Sequence, residues 1–221
     1  MLREFDAFAG YPEPKEPRVV YPSIRTIHNR IAASYRGQEF YDGHRNNGYG
    51  GFKDDGRWGP IADNIIKEYQ PKSVLQLNAH KGYLIKALRD RGVYALGIEP
   101  SEYAVSKAES PLVVQGGFTK ICAPDKNYDL VLAASAPYAG NLADAIACLK
   151  EVQRVGKKGW VVLAAYEDEN DFDGLRLLRY WFLTGTLILT KGDWIEVMKH
   201  AGYTGDYRFD TAKSLNLIEK K

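Results

Sequence analysis

A carboxylate stands where a sugar could be gripped. Glu99 closes the apolar run YALGIE and lies 22 positions after Leu77, which closes SVLQL. In a doubly wound sheet, ligands sit outside the carboxyl ends of the strands, and an acid at the second of these accepts hydrogen bonds from ribose hydroxyls. The turn after SVLQL, NAHKG, would have to carry the rest of such a ligand. It has the rhythm of a glycine-rich cofactor loop but keeps only Gly82, with Asn78 and His80 where small residues would stand. Side chains there narrow the space left to a ligand and disfavour φ > 0, Asn being the best tolerated of the alternatives. His80 is expected either to block the pocket or to touch a ligand carboxylate. The simpler reading of Glu99 is a cap for a helix starting near Ser101. The GYGG run at Gly48 to Gly51 is no substitute for the loop, because no strand precedes it.

A second chemical feature is aromatic. The chain holds 15 Tyr, 8 Phe and 4 Trp, many of them in polar, glycine-rich surroundings. YRGQEFYDGHRNNGYGGFKDDGRWGP is 26 residues with seven glycines and no period. A segment of that size without regular structure is usually functional or mobile. It reads as a binding surface, or alternatively as a solvated loop packing its rings on the body.

The elements that would position these groups follow from periodicity. Residues 1 to about 20 are proline-rich and extended, an arm expected to pack on the body or on a partner. Ile24, Ile27, His28, Ile31 and Ala32 share one face of a helix beginning near Ser23. Asp63 to Tyr69 reads as a helix that Pro71 closes. From Ser73 onward strands and helices alternate: SVLQL, a helix from Gly82 to Arg91, Tyr94 to Ile98, a short helix capped at Ser101, PLVV, YDLVLAA, a helix from Asn141 to Val155, and Trp160 to Ala165. Such alternation predicts a parallel, doubly wound sheet. Two helices, near Leu175–Leu183 and Asp193–Ala201, lead to strands near Tyr203–Phe209 and Leu215–Ile218. These last two are expected to form an antiparallel pair at the sheet edge. The division is residues 1–70 as arm, helix and cap segment, and 71–221 as the sheet domain.

Bulk composition excludes several functions. With 30 basic and 28 acidic residues and a net charge of +2, the chain lacks the basic stripe of a nucleic-acid binder. Cys122 and Cys148 match neither a metal spacing nor a disulfide framework. The start of the chain is already charged between Leu2 and Asp6, unlike a signal peptide, and runs such as Gly159 to Tyr166 are too short to cross a bilayer. A cytoplasmic protein that acts on a small molecule is expected, with no membrane or nucleic-acid partner. The arm offers a route to a homo- or hetero-oligomer.

The ordered set of segments resembles class I S-adenosylmethionine (SAM)-dependent methyltransferases, the Rossmann-like type, with a degenerate first motif. SVLQLNAHKGYL stands where that family has V-L-D-[LI]-G-C-G-x-G-x-[LF]. GIEPSEYAV is similar to its second motif, PDKNYDLVLA to its fourth-strand motif, and LKEVQRVGKKGWVVLAAYE to the following helix and strand. Together they cover roughly Ser73 to Glu167 in the family's order. The flanks YDGHRNNGYGGFKDDGRW and WFLTGTLILTKGDWIEVMKHAGYTGDYRF resemble a subgroup of small bacterial methyltransferases associated with small-metabolite or cell-surface sugar gene clusters.

The resemblance implies a seven-stranded, mostly parallel sheet and SAM as cofactor. Asn78, His80, Gly82 and Ser135 would lie against the cofactor and Glu99 on its ribose. Gly117 stands where the family often has an acid near the adenine, and Gln76 replaces the first motif's acid. Methyl transfer from a sulfonium is an in-line displacement that chiefly needs alignment, where effective molarities reach ~10⁵ M or more. A hydroxyl or amine acceptor gains roughly 10²–10⁴ from a general base, and aromatic faces attract the sulfonium by ~0.5–2 kcal/mol. Tyr49, Asp55, Arg57 and Trp58 are therefore expected to line the substrate pocket, with His44 the first base candidate. The loop AASAPYAGN offers Tyr138 to orient a substrate, while Asn141 caps the next helix. The implied activity is methylation of a small metabolite, such as a sugar or sugar phosphate. Two alternatives stand beside it: a catalytically degenerate binding or scaffold subunit, and noncanonical SAM chemistry in the same pocket.

Overall fold

The computed structural model describes residues 1–10, 16–108 and 113–219. The arm packs on the body of the molecule. Arg3–Glu4 form a short strand, β1, and Arg18–Val20 a second, β2. Thr26 opens helix α1 (Ile27–Ser34) through a capping box with Asn29, which satisfies two otherwise orphaned N–H groups. One further turn, α2 (Gln38–Tyr41), follows. Helix α3 (Trp58–Tyr69) begins at Trp58 rather than at Asp63. Gly59 and Pro60 fall in its first turn, where a proline breaks no hydrogen bond and its fixed φ suits the helix. Gln70 ends the helix at φ 47 ahead of Pro71.

The alternating region follows the predicted order: β3 (Ser73–Leu77), α4 (Tyr83–Arg89), β4 (Tyr94–Glu99), α5 (Glu102–Ser106), β5 (Val113–Gln115), β6 (Tyr128–Ala133), α6 (Leu142–Val155) and β7 (Gly156–Tyr166). The first half of PLVV lies outside the described residues. β7 starts before Trp160, because Gly156 and Lys158 register against Tyr128 and Leu130 of β6. The two lysines of this start hide it from a search for apolar runs.

The remaining elements are α7 (Phe172–Trp181), β8 (Leu189–Thr190), α8 (Lys191–His200), β9 (Asp206–Asp210) and β10 (Leu217–Glu219). The main sheet runs β1-β9-β7-β6-β3-β4-β5, with β8 also on β7, and every pair in it is parallel. This is the α/β, Rossmann-like architecture expected. Strand order reverses at β3: β4 and β5 step away on one side, and β6, β7 and β9 on the other. The crevice outside the carboxyl ends of β3 and β6 is thus the switch point at which such sheets bind ligands. Val74, Leu77, Leu130, Val131, Leu132, Ala133, Val161 and Leu163 are fully buried, since helices cover both faces of a parallel sheet.

The antiparallel pair expected at the C-terminal edge does not form. β9 lies between β7 and β1, parallel to both, so neither of its edges is free. Ser214 and Thr211 exchange N–H to hydroxyl hydrogen bonds of 2.8 and 3.0 Å in the turn that follows, and β10 goes on to pair in parallel with β2. Val20, Leu178 and Leu217 form a small apolar cluster there. That pairing holds the start of the chain against α7 and so sets where Arg25 lies. Among the described residues, no helix is long and apolar enough to cross a membrane.

Candidate active site

The loop after β3 keeps the backbone of a glycine loop without its glycines. Asn78, His80 and Gly82 have φ of 61, 52 and 77. Left-handed conformations favour glycine, with Asn and His among the side chains that visit them most, and each non-glycine residue there costs about 1–2 kcal/mol. Hydrogen bonds hold the turn: Ala79 N–H donates to Ile98 O at 3.1 Å and Gly82 N–H to Ala79 O at 2.9 Å. The Asn78 amide nitrogen reaches Ala134 O at 3.3 Å, tying the end of β3 to the end of β6.

Glu99 is completely buried and is met by three donors. His80 N–H donates to its Oε2 at 2.9 Å, Ser101 N–H to its Oε1 at 3.0 Å, and the Tyr41 hydroxyl to Oε1 at 3.1 Å. The cap expected at Ser101 is also present, but Ser101 supplies it with its own hydroxyl, which accepts from Ala104 N–H at 3.0 Å. Because the Tyr41 proton is committed to Glu99, the Tyr41 oxygen accepts from His80 Nδ1 at 3.1 Å. That assigns the Nδ1–H tautomer, leaving Nε2 as acceptor toward the Tyr49 hydroxyl at 3.4 Å and the Asn78 amide at 3.3 Å. Burial holds the His80 pKa below its ordinary value against the opposing pull of Glu99, so the ring is neutral near pH 7. Burial, with Glu99 beside it, pushes the Tyr41 hydroxyl far up.

The cap segment lies over this cluster and is fastened to the sheet domain. The buried Lys81 ammonium donates to both oxygens of Asp42 at 2.7 Å and to Phe52 O at 2.9 Å, and the Tyr103 hydroxyl is a further donor to Asp42 at 2.7 Å. His80 sits edge-on to Tyr41 and Tyr49, with centroids at 5.8 and 5.5 Å, and 5.0 Å from Phe52. The ring thus fills space that a glycine would leave open.

Beside this plug is a cavity of about 130 Å³ at the switch point, lined among others by Arg25, Arg36, Arg45, Asn78, Tyr138 and Trp181. Ser135, at φ 64, accepts from the buried Tyr138 hydroxyl at 2.7 Å. Tyr49, 38% exposed, completes one wall, with its hydroxyl turned inward to His80.

The structure therefore brings together Asn78, His80, Ser135, Tyr138 and Tyr49, with Glu99 directly behind Tyr41. It places other expected residues elsewhere. His44 is exposed and caps a short 3-10 turn by accepting from Asn46 N–H at 3.2 Å. Asp55 pairs with Arg57 ahead of α3, and Trp58 starts that helix with its ring 6.3 Å from Phe52. None of these four is among the cavity residues. Gly117 lies past β5 in the open, with nothing within 4 Å of an added Cβ. The residues missed by sequence reasoning are Tyr41, Arg25, Arg36, Arg45 and Trp181. Only their type gave a signal, since arginine and aromatic side chains in an aperiodic segment suit binding as well as packing.

As a cradle for an adenosine-type cofactor, the residues fit in two respects. The loop retains the left-handed backbone, and Glu99 stands at the end of β4. A third observation is a buried acceptor in β3 left without a donor, Gln76 Oε1. One feature opposes the fit: with Tyr41 in place, ribose hydroxyls have no path to Glu99.

Residues 75–163 match the model of a family described as a methyltransferase domain. No curated protein matches the sequence. Among solved structures, a SAM-dependent methyltransferase from Archaeoglobus fulgidus is 14% identical at a TM-score of 0.52, over 66% of each chain. The YcgJ protein from Bacillus subtilis is 18% identical, also at 0.52, over 63% of this chain and 66% of its own. These two likenesses show the fold.

Proposed function

We propose that the chain is a class I, Rossmann-like SAM-dependent methyltransferase, its residues 75–163 being the part that matches a methyltransferase domain, and that it methylates a small metabolite, a sugar or sugar-phosphate derivative, in the cavity beside Asn78 and Tyr138. SAM is the cofactor this domain implies; when bound it supplies an electrophilic methyl group. Glu99 would take its ribose once Tyr41 has moved off it, and the 78–82 loop its methionine part. The observation that carries the reading is the cavity at the carboxyl ends of β3 and β6, adjoining a loop that keeps three left-handed residues although two are not glycine.

The chain's own contribution is positioning. A fixed acceptor exchanges a bimolecular encounter for an aligned one, and alignment is the chief need of a displacement that breaks and forms one bond in line. Tyr138, whose proton goes to Ser135, presents a lone pair that can receive an acceptor hydroxyl and orient it.

A second reading, a binding subunit without transfer activity, draws on one observation: Glu99 is wholly buried under Tyr41. Calorimetric titration with SAM and S-adenosylhomocysteine separates the two. Binding of both, weakened by Glu99→Gln, is expected; a well-folded sample that takes up neither at millimolar ligand removes the enzyme reading.

A further inference from the structure

The cavity is cationic and nothing in its wall balances it. Arg25, Arg36 and Arg45 all line it, and its other lining residues include no Asp or Glu. Among the described residues none of the three forms an ion pair. Their hydrogen bonds go to neutral acceptors instead: Arg25 Nη1 to Trp181 O at 2.9 Å, Arg36 Nη1 to Asn78 Oδ1 at 3.3 Å, and Arg45 to Gly48 O. The guanidiniums of Arg25 and Arg45 both lie over the Trp181 ring, 5.6 and 5.2 Å from its centroid. A guanidinium carries five N–H donors, so most of the donors in this group are left for water or a ligand. Burial, then Arg45, then Arg30 push Arg25 down to about 10, the direction that crowded like charges produce. Neutral His80 on the adjoining wall adds no compensation.

Resting on the methyltransferase reading above, we infer that this cavity is the seat of a phosphoryl group on the acceptor, held by Arg45 and Arg36 with Arg25 behind them. Arginine forks meet phosphate oxygens in pairs, and a dianion offset by three cations restores the missing charge balance. Arg36 also touches Asn78 of the β3 loop, so a phosphate bound here places its organic part against Tyr138 and the loop.

The test uses inorganic phosphate as probe, followed by calorimetry on the full chain, with acetate as the carboxylate control. Phosphate should bind and acetate should not. Arg36→Gln and Arg45→Gln should each weaken phosphate about tenfold, the effect of losing one charge-assisted contact. Arg45→Lys, which keeps the charge but not the fork, should fall between. Thermal melts identify any variant that fails to fold, and Arg25, which holds Trp181 O, is left unchanged. No phosphate binding by the wild-type chain, or unchanged binding in both Gln variants, overturns the inference. Equal binding of acetate overturns the phosphoryl class. SAM titrated into the same samples separates the two ideas: phosphate without SAM binding removes the methyltransferase reading and leaves the anion site, and SAM without phosphate binding does the reverse.

Discussion

Two irregular, aromatic N-terminal segments meet the sheet at opposite ends and do opposite things with their charge. At the far edge, Arg3 pairs with Asp206 through Nε at 2.9 Å and with Glu68 at 2.8 Å, while Tyr69 donates to Asp206 at 2.7 Å. Phe8 packs 4.6 Å from Trp160, and the Trp160 indole donates to Phe5 O at 2.8 Å. Every charge named there has its counter-charge. In the cap, Arg25, Arg36 and Arg45 share a cavity with no carboxylate in its wall. A fold gains little by gathering like charges, so balanced arginines read as a clasp and unbalanced ones as a binding site.

The sharpest way to break that comparison is at Glu99. Glu99→Ala strands three buried donors, and at about 1–3 kcal/mol for each unsatisfied group the chain should lose several kcal/mol in denaturant melts. A loss below about 1 kcal/mol would mean that the cap is not fastened there. Tyr41→Phe removes the hydroxyl that donates to Glu99 and accepts from His80. It should lower stability by about 1 kcal/mol while tightening SAM about fivefold, because the cap then opens more easily over Glu99. Calorimetry showing weaker SAM binding in this variant would make Tyr41 part of the site and not its cover. On the clasp side, Arg3→Ala should cost about 1 kcal/mol, as exposed pairs do, and leave phosphate and SAM affinity unchanged. Any shift in ligand affinity there would couple the two ends.

The smallest effect is in pH. The His80 pKa is depressed in the folded protein, so the unfolded chain takes up its proton first as pH falls. Stability from this group is complete above the ordinary value of 6.5 and is lost progressively below it. Denaturant midpoints measured across that range should fall more steeply for the wild-type chain than for His80→Gln. Parallel curves would mean that His80 is not held neutral.

The sheet was legible because its determinants are local: apolar runs of strand length, helical periodicity between them, and helix stops at Gly and Pro. Glu99 and the 78–82 loop were legible for the same reason, each lying at the end of a periodic run. The failures share a cause. The C-terminal strands looked like a hairpin, but partners from the first twenty residues claimed both. His44, Asp55, Arg57 and Trp58 were chosen from an aperiodic segment where type alone guides the choice, and His44 turned out to cap a turn at the surface.

By itself, the sequence determined the succession of strands and helices and the acid that closes the second strand of the alternating region. Backbone preference and hydrophobic spacing act over a few residues and need no distant partner. Only the tertiary structure decided that Tyr41 would cover that acid, that Asn78 and His80 would keep a glycine's backbone, and that three arginines from residues 25–45 would converge near Trp181. Those outcomes depend on which surfaces remain to be covered once the sheet has formed, and a pairing as remote as β2 with β10 helps to choose them.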